Sequence, residues 1–118
     1  MTSLVQYVVV RGDLLRNLKW PTGAVIAQAC HACTAIIHHF YGDPNVMQYL
    51  SDVDNMHKVV LEVKDEDELR NISEKLSAQN RDYKLWIEQP ENYATCLAVK
   101  PYPKDEIKPY LKGLKLYK

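Results

Sequence analysis

Runs of apolar residues at two different periods divide the chain into strands and helices. β-Branched and aromatic residues dominate four short runs, which predicts strands. In the longer segments between them, apolar side chains recur three or four positions apart, which predicts helices with one buried face. The predicted strands cover residues 5–10, 58–63, 83–87 and 95–99. The predicted helices cover residues 24–40, a segment beginning at 65, and 104–112, and residues 45–50 are interpreted either as a short helix or as an extension of the first.

The order of these elements is β-α-β-α-β-β-α, which predicts an α/β fold. Strands joined through helices become parallel neighbours through right-handed crossovers. The six-residue join at 88–93 suits an antiparallel pair instead. We therefore expect a three-layer α/β/α-type domain with a mixed four-stranded sheet. The sequence shows no repeat and no long linker, which predicts one domain over residues 1–118.

Three helix boundaries have specific signals in the sequence. Thr22 precedes the first long helix and is predicted as its N-cap. Asp65 and Glu68 have the spacing of a capping box, with Asp in place of Ser or Thr. Pro109 lacks the N–H group that a residue inside a helix donates, so the last helix is expected to be short, kinked or late in starting.

Composition excludes some functional classes. The 118 residues are 47% hydrophobic and 25% charged, which is typical of a globular domain. Fifteen basic and fifteen acidic residues cancel, which excludes a strongly basic nucleic-acid-binding protein. The distribution is uneven, because residues 92–118 hold six lysines against two acidic residues. Tyrosines interleave with these lysines, which suits phosphate and stacking contacts, although a solvated helix face is the simpler interpretation.

The cysteines and the lack of long apolar runs predict a cytoplasmic protein. An odd number of cysteines without a secretory signal fits a reducing compartment. No stretch approaches the ~18 apolar residues of a membrane span. Cys30, His31 and Cys33 form a Cys-His-x-Cys pattern, but no second ligand pair follows it. We interpret both thiols as buried structural residues and expect no metal site.

A polar stripe on the first long helix is the main candidate site. Its members share one helical face and are Gln28, His31, Ala35 and His38. Two interpretations stay open. The stripe either lines a cleft at the carboxyl edge of the sheet or is a solvated helix face. The spacing of the residues alone favours the solvated face. The start of this helix at Gly23 also offers free N–H groups to an anion or an oxyanion. His38 and His39 are interpreted as ordinary surface residues.

The loop at 88–92 is the second candidate. It follows a predicted strand and therefore lies at one end of the sheet. A carboxylate there, such as Glu88, could act as a general acid or base if burial raised its pKa. A solvated turn is the simpler interpretation.

The segments 10–14 and 23–32 together resemble the type 2 peptidyl-tRNA hydrolases of archaea and eukaryotes. Those proteins have a strand ending in Arg-x-Asp-Leu, followed by a Gly-Lys-x-x-x-Gln-x-x-His-Ala helix. The resemblance covers nearly the whole chain, and the segments 20–23, 27–32, 85–92 and 101–104 resemble a divergent branch of that family. It implies an α/β fold with a mixed sheet. It also implies hydrolysis of the ester that joins a peptidyl group to the terminal ribose of tRNA, without a cofactor or a metal.

The resemblance also implies roles for individual residues. The expected catalytic residues are Gln28, His31, Glu88 and Thr95, where Glu88 stands in the place of the family's Asp. The residues expected to bind substrate are Arg11, Lys19, Gly23, Asn92, Lys100 and Lys104. The implied partner is the acceptor end of peptidyl-tRNA, with no membrane involved, and a homodimer stays open.

Two departures from the family pattern keep a second function open. Ala24 stands where the family has Lys, and the loop after Glu88 is shorter by several residues. One electrostatic donor can be worth roughly 10²–10³ in turnover. The alternative is therefore a catalytically weak or inactive member that binds tRNA or a protein.

Overall fold

The structure is a computed structural model that describes residues 3–118. Its strands are β1 (Leu4–Arg11), β2 (Lys58–Val63), β3 (Tyr83–Glu88), β4 (Tyr93–Val99), β5 (Tyr102–Pro103) and β6 (Lys115–Leu116). Its helices are α1 (Asp13–Arg16), α2 (Thr22–His39), α3 (Pro44–Leu50), α4 (Glu66–Ala78) and α5 (Lys104–Ile107). Two 3₁₀ turns lie at Val53–Asn55 and Lys108–Leu111.

The sheet is mixed, as predicted. Its strand order is β3-β4-β1-β2-β6, and β5 pairs with the start of β1. The pair β1–β2 is parallel, as the helical crossover requires, and the other pairs are antiparallel. The sheet has six strands rather than four. The two additional strands, β5 and β6, are two residues long, and such short strands leave no periodic pattern in a sequence.

Two hydrophobic layers enclose the sheet and confirm the three-layer α/β/α arrangement. Successive side chains of a strand point to opposite faces, so Val8 and Val10 of β1 pack under α2 while Tyr7 and Val9 pack on the side of α4. Helix α4 buries Leu69, Ile72 and Leu76 against that second face. Each fully buried leucine contributes about 1.5–3 kcal/mol relative to an exposed one.

The helix boundaries confirm two of the three predicted signals. Asp65 caps α4, because its carboxylate accepts the N–H of Glu68 at 3.0 Å. Helix α5 is short and passes into a 3₁₀ turn at Lys108, next to Pro109. The prediction of Thr22 as an N-cap is wrong. Pro21 occupies that position with ψ 144°, so Thr22 is the first helical residue and makes no capping bond.

The cysteines differ in exposure. Cys96 is buried and Cys33 is partly buried, but Cys30 is exposed, so its predicted burial is wrong. The reason is its position on the solvent side of α2. Across residues 3–118, no cluster of three or more His, Cys, Asp or Glu side chains is arranged to hold a metal ion. None of the helices in this range is long and apolar enough to cross a membrane.

Candidate functional site

Polar side chains from α2, β3 and β4 meet at one end of the sheet. Helix α2 connects two parallel strands, so it runs back over the sheet and its amino half lies above the carboxyl end of β1. The antiparallel strand β4 begins at that same end, and β3 finishes there. This topology brings together Gln28 of α2, Glu88 of β3 and Thr95 of β4.

Gln28 is buried and held by hydrogen bonds. Only 3% of its surface is exposed, so the solvated-face interpretation is wrong for this residue. The Thr95 hydroxyl donates to Gln28 Oε1 at 2.9 Å, and Gln28 Nε2 donates to the carbonyl of Ala24 at 3.3 Å. The Cys96 thiol donates to the Gln28 carbonyl at 3.2 Å. These contacts fix which end of the amide faces the protein interior, because a buried amide without partners would be costly.

Glu88 is an ionised carboxylate at neutral pH. The Trp86 indole donates to its Oε1 at 3.0 Å. This hydrogen bond is the main reason that the pKa of Glu88 lies below the usual glutamate value, and the Gln28 amide and the charge of His31 lower it further. The pKa is therefore shifted in the opposite direction to the one that burial would produce. Because it is ionised, Glu88 can accept a proton or a hydrogen bond, but it carries no proton to donate as a general acid.

His31 and Trp86 form a stacked pair at the mouth of the site. Their ring centroids lie 4.8 Å apart with an angle of 23° between the planes. His31 is exposed, and the pair forms one wall of a groove of about 380 Å³ between α2 and β3. The residues that line this groove are Cys30, His31, Thr34, Ala35, His38 and Trp86. His38, expected at the ordinary surface, therefore lies at the far end of the groove.

The prediction from sequence missed Trp86. It lies two residues before Glu88 on the same strand, and side chains at that spacing share a face of the sheet. That spacing is the signal that could have identified it. Its indole contacts two members of the predicted catalytic set, Glu88 and His31.

Arg11 supports the site from below. Its guanidinium donates to both carboxylate oxygens of Asp13 at 2.9 and 2.8 Å, and to the carbonyl of Ala94 at 3.0 Å. The hydrogen bond to Asp13 is the main cause that raises the pKa of Arg11 above its usual value. Arg11 is only 6% exposed, so the structure does not present it to a ligand. It anchors the start of β4 one residue before Thr95.

Three other predicted binding residues are exposed, two of them before or within the first turn of α2 and one in the β3–β4 turn. Lys19 is exposed and its ammonium donates to the carbonyl of Arg16 at 3.2 Å. Gly23 lies exposed in the first turn of α2, whereas the neighbouring N–H of Ala24 already donates to Pro21 at 3.0 Å. Asn92 is exposed with φ of 59°, and its N–H closes the β3–β4 turn on the Glu88 carbonyl at 2.8 Å. Their contact with a substrate stays a prediction.

The structure does not bring Lys100 and Lys104 to this site. Lys100 follows β4 at the opposite end of the sheet, is 5% exposed, and pairs with Asp43 at 2.7 Å and Asp82 at 2.8 Å. Both carboxylates already pair with its ammonium, so this position does not favour the predicted contact with substrate. Lys104 lies beside Tyr7, on the face of the sheet opposite α2. These two lysines of the basic tail therefore do not extend the site.

Known proteins similar to this chain agree on one family. Residues 4–117 match the family model described as "Peptidyl-tRNA hydrolase PTH2". The mouse and human proteins named "Putative peptidyl-tRNA hydrolase PTRHD1" are 51% and 50% identical over 116 residues, which cover 98% of this chain and 83% of each relative. A solved structure of a protein of unknown function from Agrobacterium tumefaciens matches over the full length of both chains, with a TM-score of 0.60 and 15% identity. That likeness supports the fold alone.

Proposed function

Since the chain belongs to the peptidyl-tRNA hydrolase PTH2 family, we propose that it hydrolyses the ester between a peptidyl group and the 3′-terminal ribose of tRNA. The observation that best supports this proposal is the polar row at the end of the sheet. In it, the buried Gln28 amide is fixed by Thr95, and the ionised carboxylate of Glu88 follows at the surface. An amide and a carboxylate together can hold one water molecule against an ester carbonyl.

Glu88 and Gln28 act on the attacking water in this proposal. The water oxygen bonds to the carbonyl carbon while one of its protons passes to the Glu88 carboxylate. A carboxylate with a lowered pKa is a weak base, so its main contribution is to orient the water and to stabilise the positive charge that develops on it. Thr95 is fully buried and bonded to Gln28, which makes it a positioning residue rather than a direct contact of the acyl group or the ribose.

His31 acts on the leaving group. As an imidazolium it donates a proton to the ribose 3′ oxygen when the tetrahedral intermediate breaks down. Its charge interacts favourably with Glu88, the same interaction that contributes to the low pKa of Glu88. The open N–H at Gly23 is the candidate donor to the oxyanion, at the positive end of the α2 dipole. Proton exchange with solvent then restores both side chains.

A second candidate is a family member that binds without rapid turnover. The observation that favours it is Ala24, which leaves the first turn of α2 without the cation that the family pattern has there. The burial of Lys100 and the distant face of Lys104 weaken the part of this alternative that relied on the basic tail. The hydrolase has the acceptor end of tRNA as its partner, whereas the alternative binds tRNA or a protein. The cytoplasm as the place of action and a homodimer stay predictions.

The deciding experiment is release of peptide from peptidyl-tRNA by the purified protein. Glu88→Gln keeps an oxygen that can accept the Trp86 hydrogen bond but removes the charge. We expect kcat to fall by roughly 10²–10³ with KM little changed. The matched control is Glu91→Gln, since Glu91 is an exposed residue of the same turn. No release by the wild-type protein, or equal rates for the two variants, would contradict the proposed hydrolysis.

A further inference from the structure

The groove between α2 and β3 continues directly from the proposed reacting centre. It begins at His31 and Trp86 and ends near His38, two helical turns further along α2. Its volume of about 380 Å³ falls within the range of about 300–1,000 Å³ typical of ligand sites. The mechanism above uses only its first residue and leaves the rest without a role.

The lining of the groove favours a flat, aromatic ligand. The stacked rings of His31 and Trp86 form one wall, and the His38 imidazole closes the far end. Small side chains at Thr34 and Ala35 leave room between them. Proteins hold unpaired bases in single-stranded RNA by stacking them on such rings.

A cation lies at the far end of the same face. Lys84 pairs with Ala98 across β3 and β4, and Ala98 packs under α2, so Lys84 is on the α2 side of the sheet. Strand β3 is parallel to β1, and its first residues therefore lie below the carboxyl half of α2, where His38 is. Within residues 3–118, the ion pairs found do not include Lys84.

These features match the groups that a 3′-acylated nucleotide carries on its ribose: the ester on the 3′ oxygen, the base on C1′ and the phosphate on the 5′ oxygen. The ester lies at Glu88, the leaving ribose at His31 and the ring position within the groove, and Lys84 lies beyond the groove lining, near its far end. We propose that the groove binds the terminal base of the tRNA, with a backbone phosphate at Lys84. The inference rests on the proposed function. A peptide fits these features less well, because its backbone, unlike that of RNA, carries no charge that would regularly face Lys84.

Fluorescence of Trp86 tests the proposal without catalysis. Trp20→Phe leaves Trp86 as the sole tryptophan, and the probe is the ribonucleotide CCA. We expect CCA to quench the emission and an otherwise identical CCA that lacks the terminal base to bind at least tenfold more weakly. Ala35→Leu, which fills the groove, should weaken CCA binding by a similar factor. Equal affinity for the two oligonucleotides would overturn the proposal.

A matched pair of histidines locates the contact. His38→Ala should weaken CCA binding severalfold, whereas His39→Ala should not, since His39 is an exposed neighbour outside the groove lining. Equal effects of the two substitutions would overturn the assignment. Quenching by N-acetyl-phenylalanine methylamide in place of CCA would assign the groove to the peptide and would also overturn it.

Salt dependence tests the phosphate contact at Lys84. The logarithm of the CCA affinity should fall with the logarithm of salt concentration, and Lys84→Gln should reduce that slope by about 0.7. Lys75→Gln, an exposed position on α4, should leave the slope unchanged. An unchanged slope for Lys84→Gln would overturn the phosphate assignment.

The experiments distinguish failure of the groove proposal from failure of the proposed hydrolysis. Peptide release by a wild-type protein whose groove does not bind CCA would remove this inference and leave the proposed function. CCA binding with the predicted variant pattern, but without peptide release, would remove the hydrolase and leave the groove as a site for the tRNA end.

Discussion

Helix α2 and strand β4 carry a polar cluster at each end, and the two clusters differ in what their charges face. At one end, the ammonium of Lys100 lies buried between the carboxylates of Asp43 and Asp82, at 2.7 and 2.8 Å. At the other end, the carboxylate of Glu88 accepts from the neutral indole of Trp86 and remains partly exposed. The first, closed cluster has a buried and fully paired ammonium, although Asp82 stays partly solvated, and the second, open cluster is only partly paired.

This contrast indicates which of the two clusters is able to act on a ligand. Two opposite charges flank Lys100, and the ring centroids of Phe40 and Tyr102 lie 5.0 and 4.9 Å from its nitrogen, so partners within the protein already compensate its charge. Such a network fixes the packing of neighbouring elements. Glu88 is partly exposed, and its carboxylate lies next to Trp86, which lines the groove. Clefts with incompletely paired charges and shifted pKa values are candidate functional sites.

Lys100→Met should give the largest loss of stability. The change leaves two aspartates without their shared cation, and we expect a loss of about 2–4 kcal/mol, less than for a fully buried pair because Asp82 is partly solvated. Urea unfolding measures the difference. Lys104→Met, at an exposed position of the following helix, is the control and should change the unfolding free energy little. Equal losses would mean that the closed cluster does not stabilise the fold.

Thr95→Val should lower both stability and activity, because it breaks the contact that holds the site residue Gln28. Valine has the shape of threonine but cannot donate, so Gln28 Oε1 loses its donor at a cost of about 1–3 kcal/mol. A freely turning amide should reduce kcat about tenfold with KM nearly unchanged. Thr95→Ser restores a hydroxyl and should recover most of kcat. Loss of kcat in the serine variant as well would contradict a positioning role for the hydroxyl.

Most of the fold was predictable from the sequence, because burial leaves a periodic pattern. The four longer strands and α4 follow that pattern closely, and Asp65 marks the start of α4 with a local signal. The two-residue strands could not be predicted, since their formation depends on a partner distant in sequence. The N-cap of α2 was placed one residue late, because Pro21 supplies an extended backbone conformation that a search for capping side chains overlooks.

The residues of the site could be predicted from the sequence, but their charge states and hydrogen-bond partners could not. Spacing and resemblance indicated Gln28, His31 and Glu88, yet whether Glu88 is neutral or charged depends on the indole of Trp86, which only the folded strand places beside it. The same limit applies to the cations. Lys100 and an exposed lysine look alike in sequence, and only tertiary structure shows that two aspartates bind one of them.

Ala24→Lys tests what the open cluster lacks. The substitution restores the family's cation at the first turn of α2, near the Gln28 amide, and we expect kcat for peptidyl-tRNA to rise about tenfold. Ile26→Lys adds the same charge to the same helix at an exposed position that lies on another face, and it should not raise kcat. A gain in both variants would indicate general attraction of tRNA rather than a contact in the site.

Trp86→Phe should produce the smallest effect, a change in the pH dependence of Glu88. The indole hydrogen bond is the main cause of the lowered pKa of Glu88, so its loss should raise that pKa toward the usual glutamate value. A lowered pKa in the folded state stabilises the protein above the unfolded value, and this contribution is lost as the pH falls through the folded value. Titration of the Glu88 carboxyl carbon by NMR measures the shift, and Trp20→Phe is the control. The acid limb of kcat/KM should move to higher pH in Trp86→Phe only. An unmoved titration would show that the indole does not set the charge of the open cluster.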